Sequence, residues 1–118
     1  MSKTFGTYIR KRRSELQGES PDFSVRRLAR RIGVEPSYLS KVERDETPPP
    51  SEAKIMSLAE ALGEDPDMLL AMAGKVSSEL QAIIRARPKL FAQMIRELKA
   101  VPEKQVRQMV KKVRDGNW

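Results

Sequence analysis

The sequence predicts an all-α chain, and three observations carry that prediction. Apolar residues recur at the 0, 3, 4, 7 spacing of a helix face in one segment after another. No stretch alternates apolar with polar residues as a half-buried strand would. The runs are bounded by Ser or Asp in front and Gly behind, and proline falls at first helical positions or between runs, which is the punctuation of helix ends.

Taken in order, Phe5, Ile9 and Leu16 mark a first helix over 5–16, with Arg10, Lys11 and Arg13 on its charged face. Residues 17–23 read as a loop, because Gly18 and Ser20-Pro21-Asp22 are turn chemistry. Ser24 then stands as an N-cap for Val25, Leu28, Ala29 and Ile32, and Gly33 follows as a left-handed cap. Glu35-Pro36 opens a third helix, with Leu39 and Val42 inward and Ser37, Ser40, Lys41 and Arg44 outward. The segment Asp45 to Pro50 stops it, since its three prolines lack N–H donors and hold an extended path. Ser51 caps a fourth helix through Ile55, Leu58, Ala59 and Leu62 that ends at Gly63. Asp65-Pro66 opens a short fifth through Met68, Leu69 and Met72 to Gly74. Beyond it lie two or three amphipathic helices punctuated by Pro88 and Pro102. The methionines at 68, 72, 94 and 109 are read as packing residues.

A chain of 118 residues holds one compact domain plus a small appendage, and the predicted division is 1–74 and 75–118. Lys and Arg number 23 against 16 Asp and Glu, a net charge of +7 that favours a polyanionic partner. The basic residues concentrate in 1–44 and 76–118, whereas 45–75 is acidic. Histidine and cysteine are both absent, which removes disulfides, thiol nucleophiles, the usual zinc ligand sets and imidazole acid-base chemistry. The carboxylates show no convergent spacing, so the expectation is a non-enzyme with no metal and no cofactor. No apolar run reaches the length of a membrane span and no signal-peptide pattern opens the chain, so a cytoplasmic protein without a membrane partner is expected.

Two short helices joined at a Gly-centred turn, the second polar and basic on its outer side, have the dimensions of a helix-turn-helix. The string SVRRLARRIGVEPSYLSKVERDETPP, preceded by FGTYIRKRR, resembles the Cro/cI-like helix-turn-helix of the XRE family of transcriptional regulators, over residues 5 to about 73. The resemblance implies a five-helix lambda-repressor-like DNA-binding domain whose third helix reads double-stranded DNA. It makes Ala29 the small residue at the crossing of the motif helices, Gly33 the turn, and Val34, Leu39 and Val42 core. It pairs Arg13 with Glu43 as a structural ion pair.

The same resemblance places Pro36, Ser37, Tyr38, Ser40 and Lys41 on the groove-facing side, with Lys41 the leading reader of a base edge or phosphate. Ser24, at the cap of the second helix, is a candidate DNA contact, and Arg26, Arg27 and Arg44 are candidate phosphate clamps. Arg30 and Arg31 are read as solvated surface. Three features depart from the family pattern: Val25 stands where Gln is common, the 17–23 loop is longer than usual, and Glu35 replaces a Ser cap.

The segment after residue 75 is too small to bury its own apolar stripes, and a second copy of the chain is the expected partner. The candidate dimer contacts are Leu80, Ile84, Phe91, Met94, Ile95, Leu98, Val106, Met109 and Val110, with Trp118 a further candidate. Packing on its own chain is the alternative. Arg107, Lys111, Lys112 and Arg114 are read as a solvated face, with contact to flanking phosphates as the alternative. A dimer would place two reading heads roughly 34 Å apart, one helical turn of DNA. Within the family the layout resembles short repressors of phage, mobile elements, biofilm control and anti-phage operons, some inactivated when a partner protease cuts the C-terminal segment. The expected function is an autoregulatory repressor of a palindromic operator. The rivals are an antitoxin-like protein whose C-terminal helices bind a toxin, and an architectural protein that coats DNA without sequence preference.

Overall fold

The computed structural model describes residues 4–117, so Trp118 lies outside the described residues. Among them the chain is all-helical, as expected. The elements are α1 (Phe5–Gln17), a 3-10 turn (Pro21–Phe23), α2 (Val25–Ile32), α3 (Pro36–Glu43), α4 (Glu52–Leu62), α5 (Pro66–Met72), α6 (Ser78–Ala86), α7 (Pro88–Leu98) and α8 (Glu103–Arg114). The chain divides into two compact units, Met1–Ser77 and Ser78–Trp118.

In the first unit the cap residues act as their chemistry dictates. The side chains of Thr4, Ser24, Ser51 and Asp65 each accept a backbone N–H in the first turn of the helix that follows. Gly33 ends α2 at φ +77°, a left-handed conformation that glycine adopts without a Cβ penalty. The loop after α1 is shorter than expected, because Ser20 accepts from the Asp22 N–H and Pro21 presets the next φ, folding a 3-10 turn. The last short helix ends at Met72 rather than Gly74, since the chain turns through Ala73 and a left-handed Gly74.

The core of this unit gathers Ile9, Leu28, Ala29, Leu39, Ile55, Leu58, Leu62, Leu69 and Leu70, with Phe5, Ile32 and Val42 around them. Each large aliphatic side chain contributes roughly 1.5–3 kcal/mol by burial. Val34 is half-buried and packs against the edge of this cluster. Gly6 is the close-approach point between α1 and the exit of α3, where a Cβ would overlap the Val42 carbonyl. Asp45, held at φ +59°, accepts a 2.8 Å hydrogen bond from the Thr4 hydroxyl and closes that same corner.

Described by itself, the second unit is three amphipathic helices, with α6 and α7 packed on each other across Arg87 and Pro88. None of its described residues is buried. Leu80, Ile84, Phe91, Leu98 and Val106 are half-buried, while Met94, Ile95, Met109 and Val110 are exposed. Leu90 and Val113, both 64% exposed, and Ile83, 54% exposed, extend the apolar surface beyond the residues nominated from sequence.

Candidate nucleic-acid interface

The site is built on α2, the turn at Gly33 and α3. Val34 N–H donates to the Ala29 carbonyl at 2.9 Å and Gly33 N–H to Arg30 at 3.1 Å, so the turn closes on the end of α2. Lys54, from α4, reaches the carbonyls of Ile32 at 3.0 Å and Gly33 at 3.3 Å. A cation thus sits on the negative end of the α2 dipole and fixes the turn to the body of the domain.

Arg13 leaves the charged face on which periodicity put it and is buried beneath α3. Its Nε donates to Glu43 Oε2 at 2.6 Å and its Nη2 to Oε1 at 3.0 Å, a bidentate fork. Its Nη1 donates to Gln17 at 2.9 Å and to the Phe23 carbonyl at 3.2 Å. One guanidinium therefore ties α1, α3 and the 3-10 turn together. The Phe23 carbonyl comes from the last residue of the 3-10 turn. Among the described residues, no buried side-chain polar atom is left without a partner.

Held this way, α3 turns Leu39, Val42 and Glu43 inward. Ser37, Ser40, Lys41 and Arg44, spaced 0, 3, 4 and 7, form one outward stripe. Ser37, Lys41 and Arg44 are exposed and Ser40 is half-buried, as is Pro36 at the first helical position. Tyr38 is half-buried against the core cluster. Glu35 makes no side-chain cap, so the first N–H donors of α3 are left to solvent or to an incoming phosphate.

Alongside, Ser24 uses its hydroxyl to accept the Arg27 N–H at 3.2 Å. Arg26 and Arg27 are exposed on the first turn of α2. Arg27 Nη1 donates to Asp22 at 2.8 Å, and Arg44 donates to Glu46 Oε2 through Nε at 3.0 Å and Nη2 at 2.8 Å. The hydrogen bond from Arg44 lowers the Glu46 carboxyl from its ordinary value; desolvation opposes it, and the charges of Arg44 and Lys41 add to the lowering. The same hydrogen bond raises Arg44 above its ordinary value. Sequence reasoning missed the partners Asp22, Glu46, Gln17 and Lys54. Asp22 and Arg27 straddle a cap, and Lys54 reaches the turn from another helix, so no single periodicity links them.

A basic, serine-bearing helix face presented by a braced helix pair defines a DNA-binding helix-turn-helix module. Residues 4–72 match the helix-turn-helix domain family, and the chain belongs to it. Among solved structures, a chain of the SinR protein/SinI protein complex is similar over 96% of this chain and 99% of that one, at a TM-score of 0.50 and 25% identity. The comparison with curated proteins gave no match. The resemblance read from the residues stands: the chain is an XRE-type, DNA-binding regulator. Among the described residues, no helix is long and apolar enough to cross a membrane.

Proposed function

We propose that the protein is a homodimeric, sequence-specific repressor of transcription that binds a palindromic operator on double-stranded DNA, often its own, in the cytoplasm. The observation that carries this reading is the pairing of two features in one chain. The first unit presents the α3 stripe of Ser37, Ser40, Lys41 and Arg44, and the second leaves Leu90, Ile95 and Val113 more than half exposed. An apolar surface of that kind is stabilised by a partner, and a second copy also supplies a second reading head. The function is regulatory, with no catalytic step assigned. Control of a phage, mobile-element or anti-phage defence operon fits this layout. A protease cut within 78–118 would then separate the reading heads and induce the operon.

Selection of bound sequences from a random duplex library, with the mass of the free protein measured in solution, tests the proposal. An inverted repeat recovered by a dimer is the expected result. A stable monomer, or no enriched sequence, overturns it. A second reading, that α6 to α8 bind a different protein such as a toxin, is favoured by one observation: the similar solved chain comes from a complex of two different proteins. A small protein that co-purifies stoichiometrically through the second unit would decide for it.

A further inference from the structure

Two of the arginines nominated as phosphate clamps already hold carboxylates. Arg27 Nη1 donates to Asp22 at 2.8 Å, and Arg44 presents its Nε and Nη2 edge to Glu46 at 3.0 and 2.8 Å. Arg26, beside Arg27 on the same turn of α2, has no carboxylate partner among the described residues. A guanidinium fork meets carboxylate and phosphate in the same planar, hydrogen-bonded way, so the N–H groups engaged by one are withdrawn from the other.

We propose that Asp22 and Glu46 are built-in competitors of DNA phosphate, which hold Arg27 and Arg44 and so set the strength of backbone binding. This rests on the DNA-binding reading above. The placement of both acids supports it. Asp22 sits in the 3-10 turn, where its own N–H is fixed by the Ser20 hydroxyl, so its carboxylate stays at the start of α2. The backbone N–H of Glu46 is bonded to the Lys41 carbonyl at 2.8 Å, which keeps Glu46 at the end of the reading helix. Its carboxylate also feels the charge of Lys41, the leading base reader. Both pairs lie in solvent, with side chains about half exposed or more, so they open readily and each changes affinity only modestly. That is the behaviour of an attenuator. The buried Arg13–Glu43 pair, by contrast, is fixed.

The test measures the affinity of the full-length protein for a random-sequence duplex at fixed low salt, by fluorescence anisotropy. It compares wild type, Asp22→Asn, Glu46→Gln, Arg26→Gln, Arg27→Gln, Arg44→Gln and the acid–arginine double variants, with far-UV dichroism as the folding control. Asp22→Ser stands in if Asp22→Asn disturbs the turn. Each acid variant is expected to bind roughly two- to five-fold tighter. The gain from Asp22→Asn should vanish in the Arg27→Gln background and persist in Arg26→Gln, and the gain from Glu46→Gln should vanish in Arg44→Gln. Unchanged affinity in folded acid variants overturns the proposal while leaving DNA binding intact. So does a gain that survives loss of the paired arginine, which would assign the acids to direct repulsion of DNA. A wild type that binds no duplex at all removes both the DNA reading and this proposal.

Discussion

Arg13 and Lys41 show how differently two basic side chains can be placed in one domain. Arg13 is buried with each of its three nitrogens hydrogen-bonded, its fork on Glu43 and its remaining group on Gln17 and Phe23. Glu43→Ala would leave that guanidinium without its counter-charge, and the expected cost is about 3–5 kcal/mol in urea unfolding. A loss under 1 kcal/mol would show that water or Gln17 compensates. Lys41 is exposed, and in the proposed reading its contribution belongs to recognition. Lys41→Ala should leave stability unchanged and cost about 1–3 kcal/mol of operator affinity, concentrated at one base position if it reads guanine. A uniform loss across sequences would reassign it to phosphate. Tyr8 supplies a pH signature. Its hydroxyl donates to Glu64 at 3.0 Å, and burial, followed by that bond and the Glu64 charge, raises its pKa above the ordinary 10.0. The neutral form is the one favoured by folding, so the stabilisation is complete below pH 10 and is lost as pH climbs through the raised value. The stability difference between wild type and Tyr8→Phe should therefore be constant at neutral pH and shrink above pH 10. A difference that stays constant throughout would remove Tyr8 as the titrating group.

At the scale of elements, caps and spacing made most of the fold legible. Ser24, Ser51, Asp65, Gly33 and Gly63 end helices where their chemistry predicts, because capping is a local interaction between neighbours in the chain. What was not legible is non-local. Arg13 looks like surface by periodicity, and only its resemblance to a family pattern predicted a partner in Glu43. Nothing in the spacing connects Lys54 with the turn that it holds, since the reach depends on how α4 lies against α2. The 17–23 connection read as an irregular loop, because a 3-10 turn of three residues leaves no period to count. For the interface, the outward stripe on α3 could be read from the sequence, whereas the carboxylates on Arg27 and Arg44 could not. Lys54 gives the prediction proper to this scale. Lys54→Met keeps the aliphatic stem but withdraws the ammonium from the Ile32 and Gly33 carbonyls, with an expected cost of about 1 kcal/mol seen as a lowered Tm. An unchanged Tm would mean that solvent caps α2 equally well.

For the whole molecule, the division of labour between its units sets what a single apolar residue can do. The first unit has its own core, which includes Ile9 and Leu70. The second unit has no buried residue among those described, so its apolar faces are stabilised chiefly by what covers them. If that cover is a second copy, a charge placed on the exposed face should act on assembly and leave the reading head untouched. Leu90→Glu and Ile95→Glu are suited to the test, because at 64% and 54% exposure neither removes a packed side chain from the chain itself. Both variants should run as monomers in sedimentation, retain the unfolding midpoint of the first unit, and bind an isolated half-site as wild type does. Binding to the inverted repeat should fall by roughly 10²–10⁴-fold, since the second head is then recruited from bulk solution instead of being held at high effective concentration. Two outcomes would count against a homodimer through this face. One is a variant that stays dimeric. The other is a wild-type monomer that binds the repeat as tightly as the half-sites allow, which would direct the exposed helices to a different protein partner.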